Sequence, residues 1–224
     1  MDSDIELINT EAQNLVRELG LPEGFYDGLL KEDDWSFVVK LHALVEAAVT
    51  HLLVNYLGQA GLEELFSLVE LSDARKGKLA FVKALGIFEK EERRFIRSLS
   101  ELRNLLVHDV SNVWFQFGKY VSGLDDKKRK GFVESFGFTH AKVQIFKNKE
   151  ISLDEFALMN PKILIWQTGL HVMGLVNLLA DTAKSEHRYG ESLKEWHERL
   201  RAARVFPMLS LADLASRGMK DIVE

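Results

Sequence analysis

The chain has 224 residues, 46% of them hydrophobic and 28% charged, with a formal net charge of −5. That balance suits a globular chain with a substantial core, and it excludes nucleic-acid binding through bulk positive charge; only a local basic patch would serve. Cysteine is absent, which excludes disulfides, thiolate metal sites and cysteine nucleophiles.

The opening, MDSDIELINTEAQ, is acidic and has no apolar signal core, so a cytoplasmic location is expected. Residues 1–21 predict a short amphipathic helix, closed by Gly20 and broken by Pro22. Together with the linker up to residue 32 it reads as an N-terminal helical arm.

Residues 33–57, DDWSFVVKLHALVEAAVTHLLVNYL, predict the longest helix of the first half, with Asp33 or Asp34 as cap and Gly58 as stop. Its middle is apolar nearly all round, as in the centre of a bundle. His42, Glu46 and Thr50 form a polar line at spacing four inside it. Glu46 and His42 either pair with each other to fix bundle register, or Glu46 faces Arg103 from the helix that follows. Two short helices are predicted over residues 61–71 and 76–85. They lack a basic recognition face, which argues against a DNA-reading helix-turn-helix.

Residues 91–109, EERRFIRSLSELRNLLVHD, carry the most informative pattern. Phe95, Leu99, Leu102 and Leu106 recur at helical spacing, and Arg103 falls at the edge of that apolar stripe. Asn104 and His108 follow one turn apart. An arginine beside a core needs a partner, and Glu46 and Asp109 are the candidates.

Downstream, Trp114, Phe115, Phe117 and Tyr120 read first as core or interface filler, and second as stacking surfaces for unpaired bases. The run DDKKRK at 125–130 reads as a solvated helix start, with a phosphate-tracking patch as the sharper alternative. AKVQIFKNKE at 141–150 is the one alternating segment, a short strand or extended loop. Residues 118–150 are thus expected to form an irregular insertion between bundle helices.

Asn160-Pro161 marks a helix start. Residues 163–180 carry no formal charge and approach the length of a membrane span. Gln167, His171 and Asn177 interrupt the run and no second span is expected, so a buried bundle helix is preferred to a membrane segment. A charged helix at 191–205 follows, broken by Pro207, with a last small helix capped by Ser210 and closed by Gly218. No phosphate loop, Ser-His-Asp set or metal-ligand His pair appears, and no cofactor or metal is expected.

The fold class expected is all-α: an up-and-down helical bundle over 33–183, an arm at 1–32 and a helical extension at 184–224. Arg103, Asn104 and His108, written R-N-L-L-V-H, resemble the R-N-x-x-x-H signature of the HEPN superfamily. With the upstream helix at 44–54, the arrangement looks like that superfamily's mannitol-operon regulator (MltR) branch. The resemblance covers roughly residues 33–113. Toxin members of toxin–antitoxin pairs often carry a Tyr two residues after the His; here that position is Val110. The resemblance implies a homodimer and a metal-independent endoribonuclease acting on RNA through a composite groove. Arg103, His108 and Asn104 would then be catalytic, and Glu46, Asp109 and His42 supporting. A non-catalytic regulator that works through a protein partner is the alternative, with the same residues forming a structural polar network.

Overall fold

A computed structural model of the chain describes residues 2–73, 75–146 and 149–202. The chain divides into two compact units, Met1–Ala183 and Lys184–Glu224. The first unit is an all-α helical bundle carrying one small β-hairpin. In the second, the described residues 184–202 are helical; Pro207, Ser210 and Gly218, expected to shape the tail, lie outside the described residues.

The chain opens with α1 (Asp2–Glu18), and Gly20, in the left-handed region at φ 74°, turns it back. A short α2 (Phe25–Gly28) and a 3-10 turn (Leu29–Lys31) lead to α3 (Asp34–Leu57). Leu15, Val16, Tyr26 and Leu29 of the expected arm are core residues of the same unit as the bundle. Asp33 caps α3 by accepting the Ser36 amide and hydroxyl at 3.0 and 2.6 Å, and those bonds hold its carboxyl below the usual range. Such a cap contributes about 1 kcal/mol. Gly58, at φ 65°, ends the helix where a side chain would be strained.

Two short helices follow, α4 (Leu62–Ser67) and α5 (Lys78–Ala84), both packed on α3. Next is α6 (Lys90–Val107), whose Phe95, Ile96, Leu99, Leu102 and Leu106 are buried against α3 as the spacing predicts. Beyond a 3-10 turn (Val110–Trp114) come α7 (Phe117–Ser122) and α8 (Asp126–Phe136).

The stretch expected as an irregular insertion is therefore largely helical. The DDKKRK run is the capped start of α8, with the Asp125 carboxylate accepting the Lys128 amide at 2.8 Å. Phe132, Val133 and Phe136 then pack α8 onto α6, where Phe95 and Phe136 meet edge to face. Charge at the start of α8 hid an apolar face that begins two residues later.

An antiparallel hairpin, β1 (Val143–Phe146) and β2 (Lys149–Ser152), pairs Val143 with Ser152 and Phe146 with Lys149. Ser152 and Glu155 form a reciprocal capping box at the start of α9 (Leu153–Met159). The last helix is α10 (Pro161–Ala202).

Two glycines let other elements approach α10 closely. A Cβ on Gly169 would stand 2.5 Å from the Tyr26 hydroxyl, and one on Gly174 would stand 2.5 Å from the Ile8 carbonyl. Tyr26 passes beneath α10, donates to the Trp166 carbonyl at 2.8 Å and accepts the Trp166 indole on its own carbonyl at 3.1 Å. Burial pushes the Tyr26 phenol well above its ordinary pKa, so it remains a donor.

Both α3 and the first thirty residues of α10 are long and apolar enough to cross a membrane, contrary to the expectation that the α10 run has no second. Each places its apolar residues in the shared core of the first unit. Asn177, expected to interrupt the apolar run, is fully buried and donates to Glu11 of α1 at 2.6 Å.

Candidate functional site

The α3–α6 contact carries two polar groupings at different depths. The inner one begins on α3 with His42, 8% exposed, whose Nε2 lies 3.1 Å from the Ser100 hydroxyl of α6. Ser100 itself donates back to the Ile96 carbonyl at 2.9 Å, so its second bond, with the imidazole, matches a buried ring nitrogen with a buried hydroxyl. Burial holds His42 below the ordinary imidazole pKa; the Glu46 carboxylate opposes this, and the Arg103 and Lys78 charges add to the depression.

One turn along α3, Glu46 accepts a hydrogen bond from the Lys78 ammonium at 3.0 Å. Lys78 is only 2% exposed. It is placed by an unusually tight turn, in which its amide donates to the Glu70 carbonyl at 2.8 Å and that of Leu79 to the Leu71 carbonyl at 3.0 Å. Gly77 is required there, since a Cβ would come within 2.6 Å of both the amide nitrogen and the carbonyl oxygen of Asp73.

Neither expectation for Glu46 therefore holds. It makes no hydrogen bond with His42, and it does not pair with Arg103; a buried lysine that the sequence reading passed over takes its carboxylate. The signal for Lys78 was present, because it stands four residues before buried Val82 and next to buried Leu79, on the inner face of α5.

The outer grouping lies at the C-terminal end of α6. Arg103 is half-buried, and its Nη1 donates to the Asn104 side-chain carbonyl at 3.0 Å. No carboxylate lies within salt-bridge distance of Arg103 among the described residues. Asp109, expected as its partner, instead caps the following 3-10 turn by accepting the Ser111 amide at 2.9 Å. That bond and one from the Ser111 hydroxyl hold the Asp109 carboxyl below its usual range.

His108 is the C-terminal cap of α6, still in helical conformation and exposed. The carbonyls that α6 leaves free are taken up around it. The Trp35 indole donates to Leu106 at 3.3 Å, and the Asn112 amide donates to Leu105 at 2.9 Å. These bonds fix the helix end and leave the imidazole facing solvent. On the same helix end and the 3-10 turn that follows it, Leu105, Val110, Val113 and Trp114 are half to nearly fully exposed. Trp114, at 86% exposure, is not core filler, which leaves the interface half of its expected role, whereas Phe117 is buried and Phe115 packs edge-on against it at 5.1 Å.

No family model, curated protein or solved structure matches this chain. The site therefore rests on its own geometry. That geometry brings Arg103 and Asn104 together and sets His108 on the same helix end; none of the three hydrogen-bonds to the His42–Ser100 or Glu46–Lys78 pairs, although the Arg103 charge still acts on His42. Arg103 and His108 are five residues apart, so they project roughly 140° from each other around the helix. On one protomer they point to different sides.

Gln167 and His171, four residues apart on α10, make no hydrogen bond with the His42, Glu46 and Thr50 line of α3. The Gln167 side-chain carbonyl accepts from His140 Nε2 at 2.8 Å, and His171 packs its ring against Phe138. Burial lowers the His171 pKa while the Glu92 carboxylate opposes it.

Proposed function

We propose that the chain is a HEPN-like, metal-independent endoribonuclease whose site is completed by a second copy of itself. The observation that carries this is the end of α6: a half-buried guanidinium with no carboxylate in salt-bridge reach among the described residues, and an exposed imidazole on a helix end and turn that also expose Leu105, Val110, Val113 and Trp114. A lone protomer directs the two groups apart. An antiparallel second copy of α6 would bring one protomer's Arg103 beside the other's His108 and cover Leu105, Val113 and Trp114.

In such a groove one His108 takes the proton of the RNA 2′-hydroxyl, whose oxygen attacks the adjacent phosphorus. The bond from phosphorus to the 5′-oxygen breaks, and the second His108 supplies the proton that the leaving oxygen needs. Arg103 stabilises the charge gathering on the phosphoryl oxygens, held in place by Asn104. The products are a 2′,3′-cyclic phosphate and a 5′-hydroxyl. Imidazole suits both roles near neutral pH.

The test is cleavage of a mixed RNA pool in EDTA by the full chain, alongside His108→Ala, Arg103→Ala and Trp114→Glu. Each His or Arg substitution is expected to lower the rate by about 10²–10⁴-fold, and Trp114→Glu to halve the mass in solution and abolish activity. A protein that dimerises through this face yet cleaves nothing supports the regulatory reading, in which the same end of α6 binds a partner.

A further inference from the structure

The C-terminal end of α1, α3, α4 and the start of α5 line an open cleft of about 680 Å³. Its size falls in the range of small-molecule sites. It exists because α3 presents Ala43 and Ala47 to it, one turn apart, while Leu21 and Phe25 form the apolar wall opposite. The inner end is charged. The Lys78 ammonium lines the cleft although it is 2% exposed, and Glu46 Oε1 accepts one of its three N–H bonds. A buried ammonium with a single hydrogen bond is left short of acceptors.

The remaining charges narrow what would supply them. Lys40 is engaged by Glu32 at 2.6 Å, and Glu18 lies 3.2 Å from His51. Glu63, at the α4 side, is exposed and has no ion pair among the described residues. With Glu18 beside His51 and Lys40 engaged by Glu32, the groups left to meet a ligand are two carboxylates, Glu46 and Glu63, against one ammonium, Lys78. A purely anionic ligand would meet that excess of negative charge, and a purely cationic one would meet Lys78. A ligand carrying both charges beside an apolar group meets neither objection.

We propose that this cleft binds a small apolar zwitterion, a hydrophobic α-amino acid or its dipeptide. The carboxylate bonds to Lys78, the ammonium is held by Glu46 and Glu63, and the side chain lies on Ala43, Ala47 and Phe25. This site is separate from the Arg103/His108 face and does not depend on the nuclease reading.

Thermal unfolding and calorimetric titration of the full chain test it with L-leucine, L-phenylalanine and L-leucyl-L-leucine. Two analogues each lack one charge: 3-methylbutylamine and 4-methylpentanoate. At least one zwitterion is expected to raise Tm by roughly 5–10 °C at a hundred times its Kd, and each analogue to bind at least tenfold more weakly. Lys78→Met is expected to abolish binding. Ala47→Phe fills the cleft while leaving the Lys78–Glu46 pair in place, and it is expected to abolish binding even if Lys78→Met does not fold. Absence of binding by all three zwitterions overturns the proposal. So does equal binding by either singly charged analogue, or binding that survives Ala47→Phe.

Discussion

The inner polar groups, held between α3, α5 and α6, and the outer ones at the end of α6 differ in how completely the chain answers them. Inside, His42 has Ser100 and Lys78 has Glu46, at 3.1 and 3.0 Å. At the end of α6, Arg103 has only the neighbouring amide and His108 faces solvent. Buried polar groups cost several kcal/mol when left without partners, so the fold must satisfy the inner set for itself. The outer set carries no such obligation and is free to meet something outside the chain. Substitutions within the inner set should therefore unfold the protein, and those at the outer set should leave it folded.

The largest effect is expected from Glu46→Ala. It leaves the Lys78 ammonium, 2% exposed, without its carboxylate, and should lower stability by about 2–4 kcal/mol in urea unfolding. Replacing both members, Glu46→Leu with Lys78→Met, should recover most of that loss, because an apolar pair needs no partner. If Glu46→Ala is neutral, the pair is not structural and the contrast between the two groups fails. Gly77→Ala comes next. The new Cβ would press on backbone at 2.6 Å, which cannot move like a side-chain tip, and a cost of about 2 kcal/mol is expected. Its measurable companion is a displaced Lys78, seen as a smaller further loss when Glu46→Ala is added.

Acid should then weaken the inner set by a smaller amount. Burial places the folded-state pKa of His42 and of His171 below the ordinary imidazole value. The unfolded chain accordingly binds protons there more readily than the folded one. Stability from these groups is complete above about pH 6.5 and is lost as pH falls through the unfolded value towards the folded one. Tm should decline between pH 7 and pH 5, above the range in which the hydrogen-bonded Asp33, Asp73 and Asp125 carboxyls titrate. His42→Gln and His171→Asn should each flatten that slope. A Tm independent of pH over this window would mean that neither ring is held neutral by burial.

Periodicity made the helices legible, because a stripe at 3.6-residue spacing has few other uses. It found α3, with Asp33 and Gly58 as its ends, and it found α6. It failed over 118–150, where the lysines of α8 precede its buried Phe132 and Phe136. Partners were harder still. Glu46 looked towards Arg103 because both lie on long helices that had to pack, whereas Lys78 arrives through a turn whose geometry depends on Gly77 and on carbonyls of Glu70 and Asp73. Long-range pairing of that kind leaves little trace in local spacing. Arg103, Asn104 and His108 were found from their spacing on one helix, and that is the part of the site whose arrangement a single helix determines.

The smallest effect on stability is expected at that helix end, where it discriminates most. His108→Ala removes an exposed ring that makes no hydrogen bond among the described residues, so the change in unfolding free energy should stay within about 0.5 kcal/mol. Arg103→Ala should cost at most about 1 kcal/mol, since it loses one bond to Asn104 and some packing of its stem. These near-neutral costs are what would make any loss of RNA cleavage interpretable, because the fold would be intact when the activity was gone. A cost of 3 kcal/mol or more for Arg103→Ala would move that residue into the inner set. It would then be a structural arginine, and His108 alone would not support cleavage of a phosphodiester between two copies of α6.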